Sequence, residues 1–254
     1  MEHRFPRGSC CGPAVIHDAR DVEAVFTADP ANIHWFVARI VRAAPGPTPS
    51  RILDIGCGDG LLLLALAEAM PQVSLVGVDI SPASVAAARE RIEASLHGSR
   101  ISALCGDFMA FDRGQFGLIT AFQALEAMDA PTEQVAATLA RDVAPGGVLI
   151  YVMPYRCLYN SVLNTLRNML RRVRGSASDW IILRAANLVH HGQSQEWLRQ
   201  RVHYMYAVTR HYDESLREAL RHQGFHILHM EAAPHTSPGQ LKHRLAVLAA
   251  RAAK

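Results

Sequence analysis

Residues 52–60 read Ile-Leu-Asp-Ile-Gly-Cys-Gly-Asp-Gly, ILDIGCGDG, and an apolar run, LLLLALAEAM, follows at 61–70. Three glycines alternate with other residues just after a short apolar segment. Glycine enters left-handed backbone conformations without a Cβ penalty, so the spacing predicts a tight bend from a buried strand into a helix. Such a bend lets a ligand approach the main chain closely. The first turn of the helix adds N–H donors and the positive end of a dipole. The stretch therefore points to a nucleotide-like ligand.

The dinucleotide pattern is G-x-G-x-x-G. Here the third glycine comes one place early: Gly56, Gly58 and Gly60, with Leu61 where the last glycine belongs. Asp54 lies inside the strand just ahead of the bend. A carboxylate there is poorly placed for pyrophosphate and well placed for an ammonium group, directly or through water. The next apolar segment ends in Gly-Val-Asp-Ile, which puts Asp79 where a ribose-binding acid belongs. A carboxylate accepts from both ribose hydroxyls. A third segment ends in Cys-Gly-Asp-Phe, so Asp107 can accept from an exocyclic amine, and Ile80 or Phe108 can pack on a purine. Ammonium, ribose and adenine, in that order, describe S-adenosylmethionine. The competing roles are turn capping for Asp79 and Asp107 and helix packing for Gly60. Cys57 has the bland reading of a small residue in the bend.

Around this bend, strands and helices alternate. Strands are expected at 51–55, 73–80, 101–105, 116–122 and 147–153, with helices at 61–70, 82–96 and 132–143. That rhythm predicts a parallel sheet with helices on both faces. Upstream, PGPTPS at 45–50 separates an N-terminal arm read as two helices. In the second of these Asp29 caps, Pro30 occupies the first turn, and Ile33, Phe36, Val37, Ile40 and Val41 share a face. From 155 to 212 the rhythm stops. Leu158, Val162, Leu166, Leu170 and Val173 form one helical stripe, a second helix is expected at 179–189 and a third after Ser194. Beyond them Asp213 is placed to cap a helix ending at Gly224. Two strands, at 225–230 and 241–249, close the chain as a hairpin-like antiparallel pair.

Composition bounds the reading. The chain has 254 residues, half of them apolar, and a net charge of +3. A chain this long buries roughly 70–75% of its unfolded surface, so its core needs no disulfides. The charge is too mild to argue for nucleic acid. The basic residues are arginine apart from Lys242 and Lys254. The five cysteines lack C-x-x-C spacing and read as free thiols in a reducing compartment, which implies a cytoplasmic setting. The first residues lack an apolar signal region, and no apolar stretch approaches the ~18 residues of a membrane span. Cys10, Cys11 and His17 lack a fourth ligand, so no metal is expected.

Five stretches together resemble the class I S-adenosylmethionine-dependent methyltransferases of small-molecule type. They are ILDIGCGDG (52–60), GVDIS (77–81), CGDF (105–108), FGLITAFQALEAM (116–128) and APGGVLIYVMP (144–154), followed by the closing segment DESLREALRHQGFHILHME (213–231). The resemblance implies an α/β fold: a doubly wound, mostly parallel seven-stranded sheet with its last strand antiparallel. It makes 51–154 and 213–254 the cofactor-binding core. Residues 1–50 are then a helical arm and 155–212 a helical lid, together forming a cap. It implies S-adenosylmethionine as cofactor, held by Asp54, Gly56, Cys57, Gly58, Gly60, Asp79, Ile80, Asp107, Phe108 and Phe122. Trp35, Gln123, Glu126, Tyr155, Tyr159 and Tyr204 are the expected acceptor-side residues. In many relatives a histidine follows the Leu-Glu of the fourth stretch; here Ala127 stands there. A base must then come from elsewhere, and His203 and His211 of the lid are the candidates. Most of the lid's histidines and tyrosines also have a plain packing role open to them.

The lid is basic, and Arg167, Arg171 and Arg174 share a helical face. Beside an apolar stripe that pattern fits a peripheral membrane contact, an anionic or lipid-like substrate, or a solvated face. The function expected is methyl transfer to a small or lipid-like molecule, with oxygen the acceptor atom. A binding module without transferase activity and a methyltransferase acting on protein or RNA are the alternatives.

Overall fold

The computed structural model describes residues 29–44, 49–173, 175–189, 206, 208–234 and 242–252. A helix, α1 (Pro30–Ala43), precedes the alternating region β1 (Arg51–Ile55), α2 (Leu61–Ala69), β2 (Ser74–Asp79), α3 (Pro82–Glu93), β3 (Ile101–Cys105), β4 (Phe116–Phe122), α4 (Thr132–Asp142) and β5 (Val143–Pro154). Two helices outside this alternation follow, α5 (Leu158–Arg172) and α6 (Ser176–Val189). Then come α7 (Asp213–His222), β6 (Phe225–Ala232) and β7 (Arg244–Arg251). The seven strands form one sheet in the order β3-β2-β1-β4-β5-β7-β6. Pairs among β1 to β5 are parallel, and β7 runs antiparallel to both neighbours. This is the expected doubly wound sheet with its last strand inserted in reverse.

Period-two alternation along the strands builds a core on each face. Ile52, Leu118, Val148, Ile150 and Val152 face one way, against Leu62, Leu63 and Leu66 of α2 and Val85 of α3. Leu53, Ile119, Leu149 and Tyr151 face the other way, against Val135 and Leu139 of α4 and Leu216 and Leu220 of α7. Helix α1 belongs to the first face: its buried residues Ile33, Phe36 and Ile40 join that core. Asp29 caps it, accepting from Ala31 N at 2.9 Å. Val41, expected on the same face, is exposed.

Two expected details differ. Asp213 is the first residue of α7, and Tyr212 occupies the cap position. The buried Asp213 carboxylate accepts instead from the Tyr151 hydroxyl at 3.1 Å, which ties α7 to β5, and from Arg217 Nε, one turn along α7, at 2.6 Å. The last strand begins at Arg244, three residues later than its apolar run suggests. The first arm helix and the third lid helix of the sequence reading lie outside the described residues.

Helix α5 is turned against the usual polarity. Leu158, Val162, Leu166 and Met169, with Val173 at its C-cap, are exposed, while Leu170 of the expected stripe is half-buried against Ile182 and Tyr206. Its polar side faces inward and is satisfied there. Asn160 Nδ2 donates to the carbonyls of Tyr155 and His243 at 2.7 and 2.8 Å, and its Oδ1 accepts from His243 N. Asn164 similarly brackets Thr209, donating to its carbonyl at 3.0 Å and accepting from its N–H at 2.8 Å.

Candidate active site

The three glycines of the bend all hold positive φ: 70° at Gly56, 54° at Gly58 and 81° at Gly60. A side chain at Gly56 would also place its Cβ 2.4 Å from that of Ala124. The bend is pinned to the next strand. Gly56 N donates to Val78 O at 2.8 Å, and Gly58 N donates to Asp79 Oδ2 at 2.9 Å. Asp79 Oδ1 accepts from Ser81 N at 2.8 Å. Each Asp79 oxygen thus spends one lone pair on the main chain and keeps another for a ligand hydroxyl. Burial holds the Asp79 carboxyl above its ordinary range.

Cys57 is buried under the bend, its Sγ 2.8 Å from where a Cβ on Gly77 would sit. That contact explains a glycine inside β2. Burial, with the Asp54 and Asp79 charges adding to it, pushes the Cys57 thiol well up, so this cysteine is an inert packing residue. Its expected share in holding a cofactor falls to its main chain.

Asp54 is 2% exposed and pairs across the sheet with Thr120, whose hydroxyl donates to Oδ1 at 2.8 Å. Burial pushes its carboxyl up to about 7, against the pull of the Thr120 hydrogen bond and with a smaller push from the Asp79 charge. A buried acid that needs a cation to ionise fits the amino-acid end of the ligand. Asp107, at the third strand tip, caps the turn Phe108–Ala110 by accepting from Met109 N at 2.9 Å through Oδ1. Phe108 is packed in the core, only 4% exposed. That leaves half-buried Ile80 as the accessible apolar residue at these tips. Phe122, at the end of β4, lies 5.2 Å from the Phe36 ring, so α1 reaches the site through an aromatic pair.

On the acceptor side the structure brings some expected residues together and sets others apart. Gln123 is the one non-glycine residue with positive φ among those described, 60°, and its N–H donates to Val152 O. Glu126 follows in the turn Leu125–Ala127 and is 4% exposed. Tyr155 and Tyr159 both meet the His243 ring edge-on, at 6.3 and 4.8 Å. Trp35 packs against the core with Arg39 over its ring at 4.6 Å, which makes it a packing residue of α1. His211 does not suit a base. Its Nε2 lies 2.9 Å from the Met128 carbonyl, and its Nδ1 lies 2.9 Å from the Thr132 hydroxyl. Nε2–H donates and Nδ1 accepts, so neither nitrogen is left for a substrate proton. His203 and Tyr204 lie outside the described residues, as do Cys10, Cys11 and His17.

Sequence reasoning missed Lys242 and Arg244 near Glu126, and it named Arg167 only as part of a basic helical face with Arg171 and Arg174. Lys242 Nζ lies 3.6 Å from Glu126 Oε1, and Arg167 and Arg244 are buried alongside. Burial lowers all three from their ordinary values, Lys242 to about 8, with Glu126 the first countercharge acting on each. One signal was present in the sequence: a lysine in an otherwise arginine-rich chain, inside the run Lys242-His243-Arg244. Among the described residues no group of three His, Cys, Asp or Glu side chains is arranged to hold a metal ion.

The comparisons with known proteins agree with this geometry. A family described as Methyltransferase domain matches residues 52–147. That stretch, from β1 into β5, is similar to a methyltransferase domain. The chain is 37% identical over 123 residues to a demethylmenaquinone methyltransferase of Thermus thermophilus, covering 47% of this chain and 54% of the relative. It is 34% identical over 126 residues to a ubiquinone biosynthesis O-methyltransferase of Aromatoleum aromaticum, covering 48% and 50%. The chain thus spans about half the length of these curated relatives. The crystal structure of a magnesium protoporphyrin IX methyltransferase from Synechocystis, solved with bound S-adenosylhomocysteine, matches with a TM-score of 0.55 at 18% identity. That match covers 92% of this chain and 93% of the other, a likeness of fold.

Proposed function

We propose that this protein transfers a methyl group from S-adenosylmethionine to a small or lipid-like acceptor, with oxygen the acceptor atom. The observation that carries the reading is the row of three aspartates, Asp54, Asp79 and Asp107, at neighbouring strand tips around a bend of three positive-φ glycines. Asp54 meets the ammonium, Asp79 the ribose and Asp107 the adenine amine. The cofactor brings an electrophilic methyl on a sulfonium leaving group, so the protein's work is alignment. Good orientation of two reactants recovers roughly 7–11 kcal/mol of a barrier. Residues 51–154 and 213–254 act as the core, and 155–212 with the arm as a cap that excludes water. The name of the Aromatoleum relative, an O-methyltransferase of ubiquinone biosynthesis, supports an oxygen acceptor.

The outward apolar face of α5, with exposed Arg172 at the end of that helix, fits an anionic membrane surface where a lipid-like acceptor would be met. No helix among the described residues is long and apolar enough to cross a membrane. The free thiols Cys57, Cys105 and Cys157 suit the cytoplasm.

A specific observation favours a second reading, a cofactor-binding module without turnover. Ala127 stands where the resemblance implies a histidine in many members of the family, and His211 has both nitrogens committed. Incubation with methyl-labelled S-adenosylmethionine and a broad cell extract separates the readings. Label in an organic-extractable small molecule is the expected result. Tight cofactor binding with no labelled product would favour the module, and label in protein or RNA would move the acceptor to a macromolecule.

A further inference from the structure

We propose that His211 is a positioning residue: it holds the turn after β4 in place at the acceptor side and ties that turn to α5. The inference rests on the methyltransferase reading, and it gives a role to a histidine with no nitrogen left for a base. The segment it holds runs from Gln123, through the turn Leu125–Ala127, to Thr132 at the start of α4. This segment begins under constraint. Gln123 holds a φ of 60°, a conformation uncommon outside glycine. Ala124 follows it and fills the space that a Cβ on Gly56 would need. The turn therefore leans on the glycine bend, at the carboxyl end of β4, where ligands of open α/β sheets bind. Strained backbone of this kind persists only where its surroundings over-determine it.

Arg210 and His211 supply those surroundings. Their two N–H groups both donate to Glu126 O, at 2.8 and 3.2 Å. The His211 ring reaches further along the segment. Its Nε2 lies 2.9 Å from Met128 O, and a carbonyl can only accept, so Nε2 carries the proton. Nδ1 then accepts from the Thr132 hydroxyl at 2.9 Å. Arg210 pairs with Asp129 as well. Two consecutive residues thus grip the segment at Glu126, Met128, Asp129 and Thr132. Solvent screens the Arg210–Asp129 pair, which therefore adds little. His211 is buried, so its two ring bonds form away from water and are costly to lose.

The same stretch of chain is held by α5. Asn164 donates to Thr209 O at 3.0 Å and accepts from Thr209 N at 2.8 Å. A line of contacts therefore runs from α5 through Thr209 and His211 to the turn. The sheet does not need it: the β4–β5 ladder ends at Phe122, before the turn begins. What the contacts fix is where Gln123 and Glu126 stand relative to the glycine bend. Methyl transfer depends on alignment, and a misplacement of about 1 Å can cost roughly a hundredfold in rate.

The test uses the full chain, methyl-labelled S-adenosylmethionine at saturation and an organic extract of cells as the acceptor source. His211→Ala removes both ring bonds. It should lower the rate of labelling at least about tenfold, toward the hundredfold scale of misalignment. Calorimetry should find its affinity for S-adenosylhomocysteine unchanged. His211→Gln keeps a donor at the Nε2 position and should recover part of the rate. Thr132→Val removes only the donor to Nδ1 and should lower the rate severalfold. Because His211 is buried, melting curves accompany each variant, and Thr132→Val decides the matter if His211→Ala unfolds. A wild-type rate from folded His211→Ala, or from Thr132→Val where His211→Ala unfolds, would overturn the inference. So would a fall in S-adenosylhomocysteine affinity as large as the fall in rate. Absence of labelled product from the wild-type chain would instead overturn the methyltransferase reading.

Discussion

Asp79 and Asp54 do different work with the same functional group, and their surroundings say why. Asp79 already accepts two main-chain hydrogen bonds that shape the bend, and the proposed ligand hydroxyls would take its remaining lone pairs. Asp79→Ala should weaken S-adenosylmethionine binding by about 1.5–3 kcal/mol, the range for hydrogen bonds to a charged group, as read by calorimetry. Asp54 is a buried acid raised from 3.8 to about 7. An ammonium ligand prefers its ionised form, so binding below that value must release a proton. Cofactor affinity should climb with pH up to about 7 and then level off, and Asp54→Asn should flatten the climb. The same shift has a stability sign. The folded carboxyl holds its proton more tightly than the unfolded one, so its contribution is complete below pH 3.8 and lost as pH rises through about 7. Above that pH, Asp54→Asn should raise the melting temperature of the ligand-free protein while impairing ligand binding. The three strand-tip aspartates and the glycines were legible in the letters. Thr120 as the partner of Asp54, and the commitment of His211 to Thr132 and Met128, were not, because each depends on residues far away in the chain.

Elements were read well from periodicity, and their direction less well. The apolar stripe of α5 was plain at 158, 162, 166, 170 and 173, yet spacing says only that a helix has two faces, and of the five only Leu170 is half-buried. Which face turns inward was decided by partners: Tyr155, Thr209 and His243 offer main-chain groups to Asn160 and Asn164. The outward apolar side is testable. Val162→Asp combined with Leu166→Asp should leave stability within about 0.5 kcal/mol per site, the usual range for surface changes. The pair should abolish sedimentation with anionic lipid vesicles; unchanged sedimentation would remove the membrane contact. Inward, the Tyr151 hydroxyl and Asp213 fasten α7 to β5. Tyr151→Phe should cost about 1.5–3 kcal/mol in denaturant unfolding, since it strips a donor from a buried carboxylate.

At the scale of the molecule, the sheet order brings distant segments to one edge. Strands β1, β2 and β3 carry the three aspartates, β4 carries the turn to Glu126, and reversal of β7 returns Lys242 and Arg244 to the same end. A ligand seated there touches half of the fold and binds only the native state. S-adenosylhomocysteine at about a hundred times its Kd should therefore add about 2.7 kcal/mol to the stability of the whole chain. The accompanying rise in melting temperature should shrink in Asp79→Ala at the same ligand concentration. An unaltered shift would place the ligand elsewhere.

By itself the sequence determined the alternation of strands and helices, the glycine bend and the identity of the three strand-tip acids. Those features are local: they follow from side-chain period, backbone permission at glycine and residue order. Tertiary structure alone decided which face of α5 looks inward, that His211 is held by the Met128 carbonyl and the Thr132 hydroxyl, and that Lys242 approaches Glu126. The physical reason is that burial and charge pairing are properties of space. Glu126 and Lys242 are far apart along the chain, and only the reversed β7 strand makes them neighbours.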